Sequence, residues 1–220
     1  MCRKIFIGAT GRDCGKTTIS LSLMHLARQK YKRVGFMKPI GPKCIQYRGL
    51  TMDKDAAMFS SVFGMDDVAH LMSPMTLTPG STRQFLDGMV DPQAPRQAIL
   101  RACAELEQQF DFLIIEGAGH GGDGSVIGEN NTQVAAILNA PVLMVTGGGI
   151  GNVIDAVELN LALYAREQAR VRVIMANKLV PEKRDRSMAY LRKAFQCQDL
   201  LVSSAFDYSP VLADPTLQHV

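Results

Sequence analysis

With 220 residues, 47% of them hydrophobic and 20% charged, the chain can bury a core and does not have the composition of a disordered protein. A formal net charge of +3 without a long basic run argues against a nucleic-acid partner, and apolar stretches such as 112–115 and 140–145 fall far short of a membrane span. Five cysteines, at positions 2, 14, 44, 103 and 197, form no C-x-x-C pair and leave an odd count, which points to free thiols in a reducing cytosol and excludes a disulfide scaffold.

In chain order, Met1-Cys2-Arg3-Lys4 leads into a strand-like run at Ile5–Ile7 rather than the apolar region of a signal peptide. Further short, β-branched runs lie at Val34–Met37, Phe112–Ile115, Val142–Val145, Val171–Met175 and Leu200–Val202. Helical spacing separates several of them. From Thr17 to Arg28, Ile19, Leu23, Leu26 and Ala27 share a face that Leu21 and Met24 broaden, and helices are also predicted over 95–110, 132–138, 154–168 and 185–195. Apolar strands alternating with helices imply an α/β fold, a mostly parallel central sheet with helices on both faces. Residues 41–92, rich in Met, Gly, Pro and Asp, break the alternation and are expected to form an irregular insertion or lid within a single domain. The chain closes at Ser209 to Val220 without an obvious terminator, as expected of a piece of a longer protein with a further C-terminal domain.

The first strand runs into Gly8-Ala9-Thr10-Gly11-Arg12-Asp13-Cys14-Gly15-Lys16-Thr17-Thr18, and the amphipathic helix follows. This is the order a P-loop requires. Phosphate oxygens need many N–H donors at once; small residues let the backbone wrap them, and the helix N-terminus adds unpaired N–H groups. Gly11, Arg12, Asp13, Cys14, Gly15, Lys16, Thr17 and Thr18 are therefore the expected phosphate-binding residues, with Lys16 on the β- and γ-phosphates and the Thr17 hydroxyl on Mg²⁺. The spacing is unusual, since G-x-x-x-x-G-K-T wants glycine where Thr10 stands, with glycines at 8 and 11 instead.

Glu116 closes the Phe112–Ile115 strand and opens a glycine-rich turn, so it is either a metal ligand at the strand's carboxyl end, or a helix cap or the partner of a core lysine. Asp53 and Asp55 offer a second metal ligand or an exposed helix start. In Lys38-Pro39-Ile40, proline bars helix and aims Lys38 across the sheet's carboxyl edge, where a second cation neutralises transferred phosphate. Asn177 ends a strand and can hydrogen-bond a purine edge; His120 beside Glu116 can touch a phosphate or move a proton.

Taken together, the glycine loop ending Cys14-Gly15-Lys16-Thr17-Thr18, Lys38-Pro39-Ile40, Glu116-Gly117-Ala118-Gly119, Asp55-Ala56 and Asn177 resemble the dethiobiotin synthetase family and the related synthetase domain of cobyrinic acid a,c-diamide synthases. The resemblance implies a P-loop NTPase-like three-layer fold, ATP and Mg²⁺ as cofactors, and a homodimer. It implies Lys16 on the β- and γ-phosphates, a magnesium set of Thr17, Asp55 and Glu116, Lys38 beside the γ-phosphate and the reacting group, and Asn177 on adenine. It also implies chemistry in which ATP phosphorylates a carboxylate or carbamate that an amine then attacks. The small-molecule substrate stays open, because Arg12, Gly41-Pro42-Lys43 and His120-Gly121-Gly122-Asp123 depart from the synthetases' substrate-binding half. The alternative is a regulatory nucleotide-sensing domain like the N-terminal part of some phosphate acetyltransferases.

Overall fold

The computed structural model describes residues 2–210, so the closing segment from 211, with His219, lies outside the described residues. Six parallel strands form the central sheet in the order β10-β9-β8-β1-β7-β2: β1 (Arg3–Ala9), β2 (Val34–Met37), β7 (Phe112–Glu116), β8 (Val142–Thr146), β9 (Val171–Ala176) and β10 (Leu201–Ser204). Each predicted strand is present. β2 and β8 are buried at every residue, as strands covered on both faces must be.

Between β1 and β2 runs α1 (Lys16–Lys30); α5 (Ala94–Gln109) leads into β7, and α6 (Asn131–Ile137), α7 (Ile150–Arg166) and α8 (Arg184–Ala194) connect the later strands. The step from β1 to β2 moves one way along the sheet and every later step moves the other way. Right-handed crossovers therefore set α1 on one face and α5 to α8 on the other. The neighbours within that second layer pack on one another in sequence. The chain thus reverses direction beside β1, and ligands bind such sheets at the carboxyl ends of the strands near the reversal.

Two expectations change. On α1, Ile19 and Met24 of the expected apolar face are buried, but Ser20 joins them, turned inward to a buried carboxylate, and Leu26 is 58% exposed. Residues 41–92 are not irregular. They hold β3 (Ile40–Gly41), the hairpin β4 (Cys44–Tyr47) with β5 (Leu50–Asp53), α2 (Lys54–Phe63), α3 (Ala69–Met72), β6 (Met75–Thr76) and α4 (Ser81–Leu86). The hairpin turns through Arg48 and Gly49, both at positive φ, a two-residue loop whose geometry Asn-Gly or Asp-Gly would have announced and Arg-Gly does not. Asp53 caps α2 by accepting the Asp55 N–H at 2.9 Å, and left-handed Gly64 ends it. This segment joins the core through Phe59, whose ring stacks on Phe36 of β2 at 3.8 Å between centroids. Among the described residues no helix is long and apolar enough to cross a membrane.

Candidate nucleotide site

Each side chain of the site hangs from the carboxyl edge of the sheet. β1 ends in the loop from Thr10 to Gly15, whose Thr10 N–H bonds Val145 O at 3.0 Å and whose Thr10 hydroxyl bonds Thr146 Oγ1 at 3.0 Å, tying the loop to β8. Asp13 (φ 56°) and Gly15 (φ 90°) are left-handed, the backbone conformation from which anion-binding concavities are built. Gly15 has a second constraint: a Cβ there would run into Asn177 Nδ2. The N-terminus of α1 has no side-chain cap. By contrast, α6 carries a full capping box of Asn130 and Gln133. A fifteen-residue helix that leaves its first N–H groups unpaired beside a glycine loop has its anion site ready made.

Opposite the loop sits a charged cluster. Lys38, 4% exposed, donates to Glu116 Oε1 at 2.7 Å and to Asp55 Oδ2 at 3.0 Å. Burial works against its charge, but Glu116 and Asp55 outweigh that and hold its pKa above the ordinary lysine value. Glu116 is fully buried and also accepts from Ser20 Oγ at 2.6 Å and Thr17 Oγ1 at 3.3 Å. Strand register delivers it, because Glu116 pairs with Ile7 at the end of β1. Lys16 reaches Gly119 O at 3.2 Å; its pKa is pushed down by burial and then by the nearby charge of Lys38. Asp53 is buried and takes backbone N–H groups on both oxygens, from Asp55 and from Lys43 at 3.2 Å; burial raises its pKa. It is a structural cap rather than an exposed helix start.

The glycine turn after β7 is pinned from three sides. Asn131 accepts the Ala118 N–H at 3.0 Å and donates to His120 O at 2.6 Å; Asn160 accepts the Gly121 N–H at 2.9 Å; Asp123 accepts the Gly119 N–H at 2.8 Å. Asp123 also pairs with His120 Nε2 at 3.0 Å, so the imidazole is exposed and held by its own turn.

Arg12, Asp13, Gly15, Lys16, Thr17, Lys38, Asp55 and Glu116 all line one cleft of about 480 Å³. Gly11, Cys14 and Thr18 do not. The Cys14 thiol lies 3.8 Å from the Thr10 hydroxyl and 3.7 Å from Arg12 O, and Thr18 is exposed. Asn177, expected at a purine edge, engages protein groups with both ends of its amide. Its Nδ2 donates to Cys14 O at 2.9 Å and its Oδ1 accepts the Phe206 N–H at 3.1 Å, so the amide ties the phosphate loop to the segment that follows the last strand of the sheet. Ser20, Asn131 and Asn160 were silent in the sequence: none stands in a motif, and only the folded chain sets Ser20 on Glu116 and the two asparagines on the glycine turn.

The donors fit magnesium. Thr17, Asp55 and Glu116 supply hydroxyl and carboxylate oxygens only, with no nitrogen or sulfur ligand. No group of three or more acidic, histidine or cysteine side chains among the described residues is placed to hold a metal by itself.

A family model described as AAA domain (AAA_26) matches residues 3–216. An ATP-dependent dethiobiotin synthetase of Thermodesulfovibrio yellowstonii is 23% identical over 191 residues, covering 82% of this chain and 78% of that protein. A phosphate acetyltransferase of Synechocystis is 24% identical over 200 residues; the match covers 89% of this chain but only 28% of that protein's length. Among solved structures, cobyrinic acid a,c-diamide synthase from Mycobacterium smegmatis with bound ADP and magnesium superposes with a TM-score of 0.58 at 18% identity, covering 91% of this chain and 83% of that one. MinD in its complex with MinC from Aquifex aeolicus gives 0.58 at 13% identity, covering 97% and 84%, so the sheet order and helix layers are those of P-loop NTPases. With a loop, an uncapped helix and a family model that agree along nearly the whole sequence, the chain belongs to the AAA_26 P-loop family, of the dethiobiotin synthetase and cobyrinic acid a,c-diamide synthase type.

Proposed function

We propose that the cleft binds Mg²⁺-ATP and transfers its γ-phosphoryl group to a carboxylate or carbamate, giving a mixed anhydride that an amine then attacks. One observation carries this reading: two buried or half-buried lysines, Lys16 and Lys38, converge with Thr17, Asp55 and Glu116 on the cleft that the phosphate loop opens into. The loop N–H groups and Lys16 hold the phosphates. Thr17, Asp55 and Glu116 would hold the metal, which would neutralise charge on the phosphate oxygens. Lys38, kept charged by its two carboxylates, faces the position where negative charge builds as the acid's oxygen attacks phosphorus and the bond to ADP breaks. The amine nitrogen then forms its bond to the carbonyl carbon, phosphate leaves, and the amine's proton passes to solvent. Catalysis here is positioning and charge neutralisation.

Phosphate release is measured with ATP and Mg²⁺ over a panel of carboxylic acids and amines, with and without bicarbonate. The expected result is release that depends on one acid or amine and falls by about 10²-fold in Lys38→Gln, with circular dichroism showing that variant folded. ATP binding without release across the whole panel would overturn the synthetase reading in favour of a nucleotide-sensing domain.

A further inference from the structure

Two serines stand two residues apart on α1 and bond differently. Ser22 keeps to its own helix and donates to Thr18 O, four residues back, at 2.9 Å, the usual habit of a helical serine. Ser20 forgoes that bond. Fully buried on the inner face beside Ile19, it donates across the layer to Glu116 Oε2 on β7 at 2.6 Å, the one hydrogen bond its side chain makes among the described residues. A hydroxyl at such a depth needs a partner, and an O–H donor on a charged oxygen belongs to the stronger class of hydrogen bond.

The bond divides the two oxygens of Glu116. Oε1 meets Lys38 at 2.7 Å and Thr17 Oγ1 at 3.3 Å, and both of those residues line the cleft; Oε2 has Ser20 alone. The last torsion of a glutamate is soft, so its hydrogen bonds decide which oxygen faces which way. Ser20 does not line the cleft and holds the carboxylate from behind. Lys16, Thr17 and Ser20 also share one face of α1, being three and four residues apart. One helix therefore carries the phosphate lysine, the metal hydroxyl and a clamp on the metal carboxylate, which fixes the spacing of Thr17 and Glu116.

We infer that Ser20 is a positioning residue for magnesium: by occupying Glu116 Oε2 it presents Oε1 to the cleft and sets the carboxylate beside the Thr17 hydroxyl. The inference rests on the Mg²⁺-ATP part of the reading above and is independent of which acid is activated. Ser20 touches neither nucleotide nor metal and acts through Glu116. A hydrogen bond that orients a metal's carboxylate ligand is worth about 10–100-fold in metal affinity.

The test is calorimetry of ATP binding, in EDTA and over a series of Mg²⁺ concentrations, with thermal denaturation of each protein. In Ser20→Ala the Mg²⁺ concentration that gives half of the metal-dependent gain in ATP affinity should rise about tenfold or more, while affinity in EDTA stays within about twofold of the parent, because the loop N–H groups and Lys16 are untouched. Ser20→Cys, close to serine in size but a weak donor, should shift the same way, and it replaces the alanine variant if that one fails to fold. In a Glu116→Gln background Ser20→Ala should add less than about twofold, since the partner through which it acts is already changed. An unchanged Mg²⁺ requirement in the folded variants would mean that Ser20 only fills space; that overturns this inference and leaves the synthetase reading standing. A shift that persists in full in the Glu116→Gln background, or an equal loss in EDTA, places the effect elsewhere on α1 and overturns it as well. ATP affinity in the parent that is the same in EDTA and at every Mg²⁺ concentration overturns the metal assignment and this inference together.

Discussion

At the scale of single residues, the site is decided by close approaches that allow one side chain and no other. Gly15 is the sharpest example. Its backbone is left-handed, and the Asn177 amide occupies the space a β-carbon would need. Gly15→Ala combines φ strain of about 1–2 kcal/mol with that collision, so urea denaturation should show a loss of at least that size and calorimetry a weakened grip on ATP. Unchanged stability would show that the loop tolerates another conformation. Ser20 makes a different point about what a sequence discloses. Lys16, Lys38 and Glu116 announced themselves through motif chemistry. Ser20 sits on a helix face assigned by hydrophobicity, and a serine there carries no signal until the helix is seen to turn it onto Glu116 at 2.6 Å.

At the scale of elements, the regular alternation was legible and the insertion was not. The six sheet strands and the helices between them follow from runs of apolar residues of one period or the other, since both faces of a parallel sheet must be covered. Boundaries moved where caps decided them: α7 begins at Ile150, four residues before the apolar pattern becomes clear, because Gly149 precedes it and Gly151 is accepted in its first turn. In residues 41–92 the elements are short and their turn chemistry is atypical, with Arg48 at positive φ where asparagine or glycine is usual. The carboxylate that organises this stretch is Asp53, which caps α2 and also anchors Lys43. Asp53→Ala should therefore cost about 1–2 kcal/mol in chemical denaturation through the lost cap and the stranded Lys43 N–H. A cost near zero would mean that water replaces both bonds.

At the scale of the whole molecule, the reversal of strand order beside β1 gathers residues far apart in sequence at one edge: the loop at 10–17, Lys38, Asp55, Glu116 and the Asn177 brace. The nucleotide end of the cleft was legible because phosphate binding imposes a fixed grammar of glycine, lysine and threonine before a helix. The rest of the cleft was not, because Arg12, Lys43 and Asp123 obey no general pattern and only the fold brings them to its wall. The central claim is that the turn after β1 grips a triphosphate with Lys16 as its charge. Isothermal calorimetry of Mg²⁺-ATP binding to the parent protein and to Lys16→Ala, with thermal denaturation of both, tests it most directly. The account predicts one saturable site in the parent and no measurable binding in a folded Lys16→Ala; binding of undiminished affinity by that variant would contradict it.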